Sequence, residues 1–157
     1  MAKRKKIEEI KNLTGDFLIK MGQAGEIGVE EDKENQAFRV NIKTEDPGVL
    51  IGFHAKTLSA MQLILGLMVF RRLEEWQRII IDVNDYRQEQ AERLKGIAQT
   101  AAQRAKFSGQ PATLSPMTPF ERRIIHLALS EVDGIETKSE GEGANRYVVI
   151  SPTKSSK

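Results

Sequence analysis

Apolar positions recur with two different spacings along the start of this chain, and they predict both helices and strands. Residues 5–21 place apolar side chains three or four positions apart, which predicts an amphipathic helix. Residues 26–31 and 37–43 alternate apolar and polar side chains, and a polar turn separates them. This pattern predicts a β-hairpin with one face on a core and the other in water.

The next apolar stretch is interrupted after a single helical turn. Asp46 and Pro47 form a helix start signal, so a short helix is predicted over 47–52. Thr57 can cap a second helix, which is apolar on nearly all sides and is therefore predicted to be buried. The apolar run 78–83 then predicts a strand in the centre of a sheet. The break between the two helices is the first candidate for a functional loop.

A change in composition divides the chain into two parts. A long helix is predicted over 85–107, and the stretch that follows, 107–119, is rich in Pro, Ser, Thr and Gly. This boundary predicts two small domains, 1–84 and 110–157, joined by a connecting helix and linker over 85–109. The last six residues, PTKSSK, are polar and are predicted to be disordered.

The second part begins with a helix start signal and ends with two strands. Thr118 and Glu121 form a capping-box pattern around Pro119, which starts a helix that runs to about residue 132. That helix is predicted to point four apolar residues inward: Phe120, Ile124, Leu127 and Ala128. Two strands, 135–139 and 146–151, follow around a Gly-rich turn. The predicted fold class of the whole chain is therefore α+β.

Composition narrows the compartment and the kind of partner. The chain has no cysteine, which excludes disulfides and thiolate metal sites. Its longest apolar run, 63–70, is too short to span a membrane, and no apolar signal core follows the basic N-terminus. We therefore expect a cytoplasmic protein that does not insert into membranes. The net charge is only +2, so any nucleic-acid site must be a local patch.

Candidate catalytic and metal-binding patterns are absent or incomplete. The two histidines lie in different predicted domains, which argues against a histidine metal site. Asp82, Asn84 and Asp85 begin like a calcium-binding loop, but no glycine and closing glutamate follow, and helix capping explains them. No Walker loop or nucleophile arrangement occurs. The sequence thus predicts no catalytic residue, no metal, no cofactor and no enzymatic activity.

The first family resemblance rests on the loop between the predicted short helix, 47–52, and the helix that follows it. Gly52, Phe53, His54 and Ala55, followed by Lys56, lie between two helices that are flanked by strands. This arrangement resembles a KH domain of the bacterial type (type II) over roughly residues 5–84, although Ala55 replaces the second glycine of the family loop. The resemblance implies that these five residues contact the backbone of single-stranded nucleic acid, and Phe53 can stack on a base. The alternative is a tight helix connection with no binding role.

A second resemblance rests on an arginine and a histidine in the last helix. Arg122 and His126 are four residues apart and share one helix face. With the strand that follows, they resemble the R-three-H domain, which is named for its Arg-x-x-x-His motif and is associated with single-stranded nucleic acid. The resemblance implies phosphate contacts by Arg122 and His126, with Arg146 facing the same side. The alternative is a solvated helix face with an incidental histidine.

The two modules in this order, with a helix between them, resemble the bacterial Jag family, whose members are associated with the SpoIIIJ membrane insertase. The KH-like helix lies at the start of the sequence, so we expect a relative that lacks the N-terminal Jag domain. The resemblance implies a protein that binds single-stranded RNA, or single-stranded DNA, and regulates gene expression post-transcriptionally in cell envelope or division control. It also implies self-association or pairing with a small stand-alone KH protein. The alternative is an adaptor for membrane-protein biogenesis with weak or lost RNA binding.

Overall fold

A computed structural model describes residues 2–153 of the chain and divides it into two compact units. The division falls between Arg87 and Gln88, and each unit has its own hydrophobic core. Both units combine helices with a three-stranded sheet. The α+β prediction is therefore confirmed at the level of fold class.

The first unit packs three helices against a mixed sheet. Its helices are α1 (Lys3–Lys20), α2 (Pro47–Ile51) and α3 (Lys56–Leu73). Its strands are β1 (Glu26–Asp32), β2 (Ala37–Lys43) and β3 (Ile79–Val83). Strands β1 and β2 form the predicted antiparallel hairpin, while β2 and β3 run parallel. The helices and strands follow one another along the chain in the order predicted from the sequence.

Strand β3 lies at the edge of this sheet, so its predicted central position is wrong. The prediction failed because the outer edge is covered by side chains and not by another strand. Gln62 Oε1 accepts a hydrogen bond from the Ile81 amide at 3.0 Å, and Arg87 Nε donates to the Ile81 carbonyl at 3.4 Å. These bonds satisfy edge groups that would otherwise be open to another strand.

Helix α3 is buried on one side only, contrary to the prediction that it is buried throughout. Its inward residues are Leu58, Met61, Leu65 and Val69. Its outward apolar residues are Leu63, Ile64, Leu67 and Phe70, and the ring centroid of Phe70 lies 6.0 Å from that of the exposed Trp76. Because a small sheet covers one side of a helix, apolar composition alone does not decide which side is buried. We call these four residues, together with Trp76, the α3 apolar face.

One helical stretch among the described residues, Pro47–Leu73, has the length and apolar composition of a membrane span. It comprises α2 and α3, and the backbone between them is non-helical at His54. Helix α3 also supplies four side chains to the core of the first unit. The break in the backbone at His54 and the packing of α3 in the core are both typical of helices in a globular unit.

The second unit has two helices and a small antiparallel sheet. The helices are α4 (Tyr86–Ser108) and α5 (Pro119–Leu129). The strands are β4 (Ala112–Thr113), β5 (Ile135–Glu140) and β6 (Tyr147–Pro152), in the spatial order β4–β6–β5. Strand β4 lies within the stretch 107–119 that is rich in Pro, Ser, Thr and Gly, where no strand was predicted. Pro152 ends β6 and the Thr153 amide donates to the Gly134 carbonyl at 3.0 Å, so these two residues are ordered. The rest of the predicted disordered tail, 154–157, lies outside the described residues.

All but the first two residues of helix α4 belong to the second unit, although the sequence predicted a connecting helix there. Its alanine-rich stripe, with Leu94, Ala98, Ala102 and Ala105, is buried in the same core as Ile125 of α5. Alanine side chains are small, so they give a weak apolar signal in sequence while allowing close packing in the structure.

Helix α5 starts with the predicted capping box, in which the Thr118 hydroxyl accepts from the Glu121 amide and the Glu121 carboxylate accepts from the Thr118 amide. Its predicted inward face is wrong in part. Phe120 and Leu127 are 51% and 63% exposed, while Ile125 and Leu129 are buried. The buried residues of α5 are Glu121, Ile125 and Leu129, which are four residues apart, so the inward face is centred on these positions and not on Phe120 and Leu127.

Candidate nucleic-acid interface

The loop between α2 and α3 depends on one glycine. Gly52 has φ +70° and ψ −179°, a conformation that side chains disfavour. A Cβ atom added there would lie 2.1 Å from Thr57 Oγ1, which is far inside van der Waals contact. Glycine is therefore required at the first position of the predicted loop, and Thr57 packs against it instead of capping α3.

The two residues at the end of the loop take left-handed backbone conformations. His54 has φ 49° and Ala55 has φ 58°. Ala55 thus adopts the conformation that a glycine favours, at an expected cost of about 1–2 kcal/mol. Ala55 is also the N-cap residue of α3 and provides no side-chain hydrogen bond. The first backbone amides of α3 therefore lack a side-chain acceptor at the cap and carry the positive end of the helix dipole.

The loop presents one large aromatic ring to solvent. Phe53 is 76% exposed, and the His54 ring meets it edge-on with centroids 4.3 Å apart. Lys56 Nζ lies 5.9 Å from the Phe53 centroid, within the range of a cation–π contact. The structure thus brings together Gly52, Phe53, His54, Ala55 and Lys56 as one surface, with stacking area, positive charge and helix amides side by side.

The second predicted site begins with Arg122 on α5. Arg122 is partly buried, and its Nε atom is buried and has no hydrogen-bond acceptor among the described residues. No carboxylate among residues 2–153 is within ion-pair distance of it. A guanidinium without an acidic partner is suited to bind an external anion, because phosphate supplies both the charge and the acceptors.

His126 lies one turn after Arg122, but both of its ring nitrogens are already bonded. Nδ1 is 2.6 Å from Thr137 Oγ1, and Nε2 is 2.8 Å from Ser139 Oγ. Burial lowers the pKa of this imidazole, and the positive charge of Arg122 lowers it further. The predicted phosphate contact of His126 is therefore not supported by its hydrogen bonds, which hold α5 to β5 instead.

Thr137 and Ser139 are two residues that the sequence analysis missed. They alternate with Glu136 and Lys138 along β5, so they occupy the inward side of the strand, where apolar residues are usual. The sequence signal that could have identified these two residues is the presence of two hydroxyl side chains on the core side of a strand. The pairing with His126 could not be read from this alternation, since it joins two separate elements.

Arg146 is held at the turn before β6. Its Nη1 donates to the Gly141 carbonyl at 3.0 Å, and Gly141 has φ +84°. Residue 146 has the same strand parity as Val148 and Ile150, which are buried in the core with α5. Arg146 itself lies one residue before β6 and one of its nitrogens braces the turn, so its predicted place beside Arg122 and His126 stays a prediction.

Comparisons with known proteins match both units. The R-three-H domain family matches residues 92–152, from within α4 to the end of β6. The prediction of an R-three-H domain is therefore confirmed, and the match begins earlier than the predicted residue 110. This match does not extend to the first unit, whose KH interpretation stays a prediction.

Three similar relatives share one name. RNA-binding protein KhpB of Clostridium symbiosum is 35% identical over 154 residues, covering 96% of this chain and 68% of the relative. KhpB of Streptococcus pneumoniae is 37% identical over 125 residues, covering 80% and 38%. KhpB of Bacillus subtilis is 32% identical over 130 residues, covering 82% and 62%. The chain thus spans about two thirds of the first relative and less of the other two.

Proposed function

Since this chain belongs to the KhpB family of RNA-binding proteins, we propose that it binds single-stranded RNA through two sites, one in each unit. One observation carries the proposal. The loop from Gly52 to Lys56 presents an exposed aromatic ring and a cation beside a helix start that has no side-chain cap. Base faces are available for stacking in single strands and are hidden in duplexes, so such a surface favours a single strand.

The first unit acts in this proposal as a KH domain. Its element order, helix–strand–strand–helix–loop–helix–strand, and its mixed three-stranded sheet support that interpretation. The required glycine at position 52 and the left-handed backbone at Ala55 support a loop that approaches a phosphate closely. Phe53 then stacks on a base, and Lys56 contributes charge.

The second unit contributes the R-three-H site. Arg122 is its phosphate ligand in this proposal, because its guanidinium has no acidic partner among the described residues. His126 and Arg146 support the site from α5 and from the turn before β6. Single-stranded DNA offers the same phosphates and base faces, so it is the competing ligand in any binding test.

The proposed role is regulatory and not catalytic. The name of the relatives refers to RNA binding, which supports a binding protein over an enzyme. We further propose that it acts in the cytoplasm as a post-transcriptional regulator linked to the cell envelope or division. This last step rests on the resemblance to the Jag family alone.

A filter-binding assay with total cellular RNA tests the first site. The double variant Phe53→Asp/His54→Asp removes the ring and adds two negative charges at the loop, so binding should weaken at least about tenfold. Both positions are exposed, and the fold should be retained.

The matched control adds the same charge elsewhere in the first unit. Asn12→Asp/Ile19→Asp alters two exposed positions of α1 and should bind RNA nearly as well as the parent. Equal loss in both double variants would mean that net charge, and not the loop, controls binding. Unchanged binding in the loop variant would rule out the loop as the RNA site.

A second candidate function is that of a protein-interaction adaptor, favoured by the α3 apolar face. Leu63 and Leu67 are 62% and 51% exposed on this face, and Trp76 is 61% exposed beside Phe70. Contiguous apolar surface of this kind is typical of an interaction site. The proposed occupant is an equivalent helix, in a second copy of this chain or in a small stand-alone KH protein.

Light scattering after size exclusion tests this candidate. If the face mediates self-association, the parent should elute as a dimer and Leu67→Asp as a monomer. Ile97→Asp is the matched control, because Ile97 is an exposed apolar residue of α4. A monomeric parent that also fails to retain a purified stand-alone KH protein would remove the adaptor function from consideration.

A further inference from the structure

We infer that His126 does not contact RNA itself but orients the hydroxyl of Ser139, which forms the anion-binding site of the second unit together with Arg122. The inference rests on the proposed function, since the anion is a phosphate of the bound RNA. It assigns a ligand role to Ser139 and a positioning role to His126, and Thr137 completes the arrangement.

The hydrogen bonds of His126 leave its ring no donor for a phosphate. A neutral imidazole has one N–H donor and one lone-pair acceptor. Both ring nitrogens lie within hydrogen-bond distance of hydroxyls, at 2.6 Å from Thr137 Oγ1 and 2.8 Å from Ser139 Oγ. A hydroxyl differs from the ring in this respect, because it can accept one hydrogen bond and still donate another.

Topology puts Ser139, and not Thr137, on the side of Arg122. The Met117 amide, just before α5, donates to the Arg146 carbonyl at 3.1 Å, so α5 starts beside the turn between β5 and β6. Ser139 is near that end of β5, whereas Thr137 is two residues further from it. Because Arg122 is in the first turn of α5, the nearer of the two hydroxyls is that of Ser139.

Whether Ser139 can bind an anion depends on which ring nitrogen of His126 carries the hydrogen. If Nε2 carries the hydrogen, it donates to Ser139 Oγ, and the Thr137 hydroxyl donates to Nδ1. The Ser139 O–H is then available to a phosphate oxygen. In the opposite tautomer the Ser139 hydrogen is spent on Nε2, and no donor remains. The inference therefore requires the Nε2–H tautomer.

The surroundings of the ring favour its neutral form. Burial and the charge of Arg122 both lower the pKa of His126. The groups that contact the ring from β5 are uncharged hydroxyls, so the charge acting on it comes from α5. No carboxylate among the described residues is within ion-pair distance of Arg122, so no acidic side chain competes with an anion for its guanidinium.

Two measurements on the intact chain test the inference. Long-range proton–nitrogen NMR should find His126 as the neutral Nε2–H tautomer at neutral pH, with or without RNA. Fluorescence anisotropy with a mixed-sequence single-stranded RNA should give a loss of roughly tenfold for Ser139→Ala, the loss expected for one hydrogen bond to a charged group. His126→Ala should lose a similar factor, and the double variant should lose no more than either single variant.

Three further variants sharpen the test. Ser139→Thr keeps a hydroxyl and should recover most of the affinity that Ser139→Ala loses. Thr137→Val should weaken binding as well, because it removes the donor that fixes the tautomer. Ser115→Ala alters an exposed serine of the same unit and should leave the affinity unchanged.

The possible outcomes separate this inference from the proposed function. RNA binding that is normal in Ser139→Ala but lost in His126→Ala would overturn the inference and leave RNA binding established. A charged His126 ring in the complex would overturn it too, as would affinity that rises from about pH 8 to about pH 6 through His126. An intact chain that binds no RNA would overturn both the proposed function and the inference.

Discussion

Ala55 holds a backbone conformation that glycine adopts with little strain. Its φ of 58° lies in the left-handed region, where a Cβ atom costs about 1–2 kcal/mol. Replacing Ala55 with glycine removes that strain but increases the entropy of the unfolded chain. We expect Ala55→Gly to stabilise the first unit by up to about 1 kcal/mol. Urea denaturation followed by the fluorescence of Trp76, the chain's one tryptophan, measures this change.

The same substitution in a helix provides the control. Ala60 is an exposed residue within α3, and Ala60→Gly should destabilise the first unit by about 1 kcal/mol. Equal destabilisation by both variants would mean that the left-handed conformation of Ala55 imposes no strain.

His126 makes the stability of the second unit depend on pH. Its pKa in the folded chain is below the ordinary value of 6.5, so the unfolded chain binds the proton more tightly. This contribution to stability is present above about pH 6.5 and is lost as the pH falls below that value. We therefore expect stability to decrease from about pH 7 to about pH 5, and His126→Gln should remove that part of the slope. Urea denaturation followed by circular dichroism at each pH measures it.

Other titrating groups can be kept apart from this effect. Hydrogen bonds from Asn35 and from Arg39 lower the pKa of Asp32 to about 2, so its contribution is lost only at more acidic pH. His54→Gln is the matched histidine variant in the first unit. A slope that disappears in His54→Gln and persists in His126→Gln would contradict the assignment to His126.

At the scale of single residues, the sequence was informative where the backbone conformation determines which residue type fits. The requirement for Gly52 follows from a motif in which close approach needs a residue without a side chain, and the structure gives the clash that enforces it. The role of Ser139 could not be predicted in the same way. Alternation along β5 gives the side of the sheet on which Ser139 lies, but not the helix residue that it meets.

At the scale of elements, a buried polar network joins α4 to the start of α5. Arg93 Nη2 donates to Gln90 Oε1 at 2.6 Å, and Gln90 Nε2 donates to Glu121 Oε1 at 2.9 Å. The other carboxylate oxygen of Glu121 accepts from the amide of Thr118 at 2.8 Å. Glu121 therefore caps one helix and holds another with a single side chain.

This double role predicts unequal costs for the two partners of the capping box. Thr118→Ala removes one cap bond and should destabilise the second unit by about 1 kcal/mol. Glu121→Ala also leaves the buried amide of Gln90 without an acceptor, so it should cost more, about 2–3 kcal/mol. Urea denaturation followed by circular dichroism compares them, and the transition of Trp76 in the first unit should not move. Similar costs for both variants would mean that the Gln90 bond adds nothing, and Glu131→Ala, at an exposed position, serves as the control.

Elements were predicted more reliably than their packing partners. The bounds of β2 agree with the alternation of apolar residues, and the start of α5 agrees with its capping signal. The buried side of α3 and the edge position of β3 were predicted wrongly, and the packing of α4 against α5 was not predicted. Each of these depends on which neighbour covers a surface, and periodicity within one element carries no information about its neighbours.

At the scale of the whole molecule, weak net charge limits what each proposed site can do alone. Residues 1–87 carry 14 basic and 14 acidic groups, and residues 88–157 carry 10 basic and 8 acidic groups. Neither unit therefore attracts RNA strongly through charge, and the salt dependence of binding should be modest. Two weak sites on one chain gain affinity when a single ligand occupies both, because the second contact becomes intramolecular.

Affinity should therefore increase with RNA length in one step. An RNA long enough to occupy both sites should bind about a hundredfold more tightly than one that reaches a single site. The step should disappear in Phe53→Asp/His54→Asp and equally in Arg122→Ala, since either variant leaves one site. Fluorescence anisotropy over a series of single-stranded RNA lengths measures it for the intact chain and for both variants. A gradual increase that survives in Arg122→Ala would mean that the R-three-H unit does not take part in RNA binding.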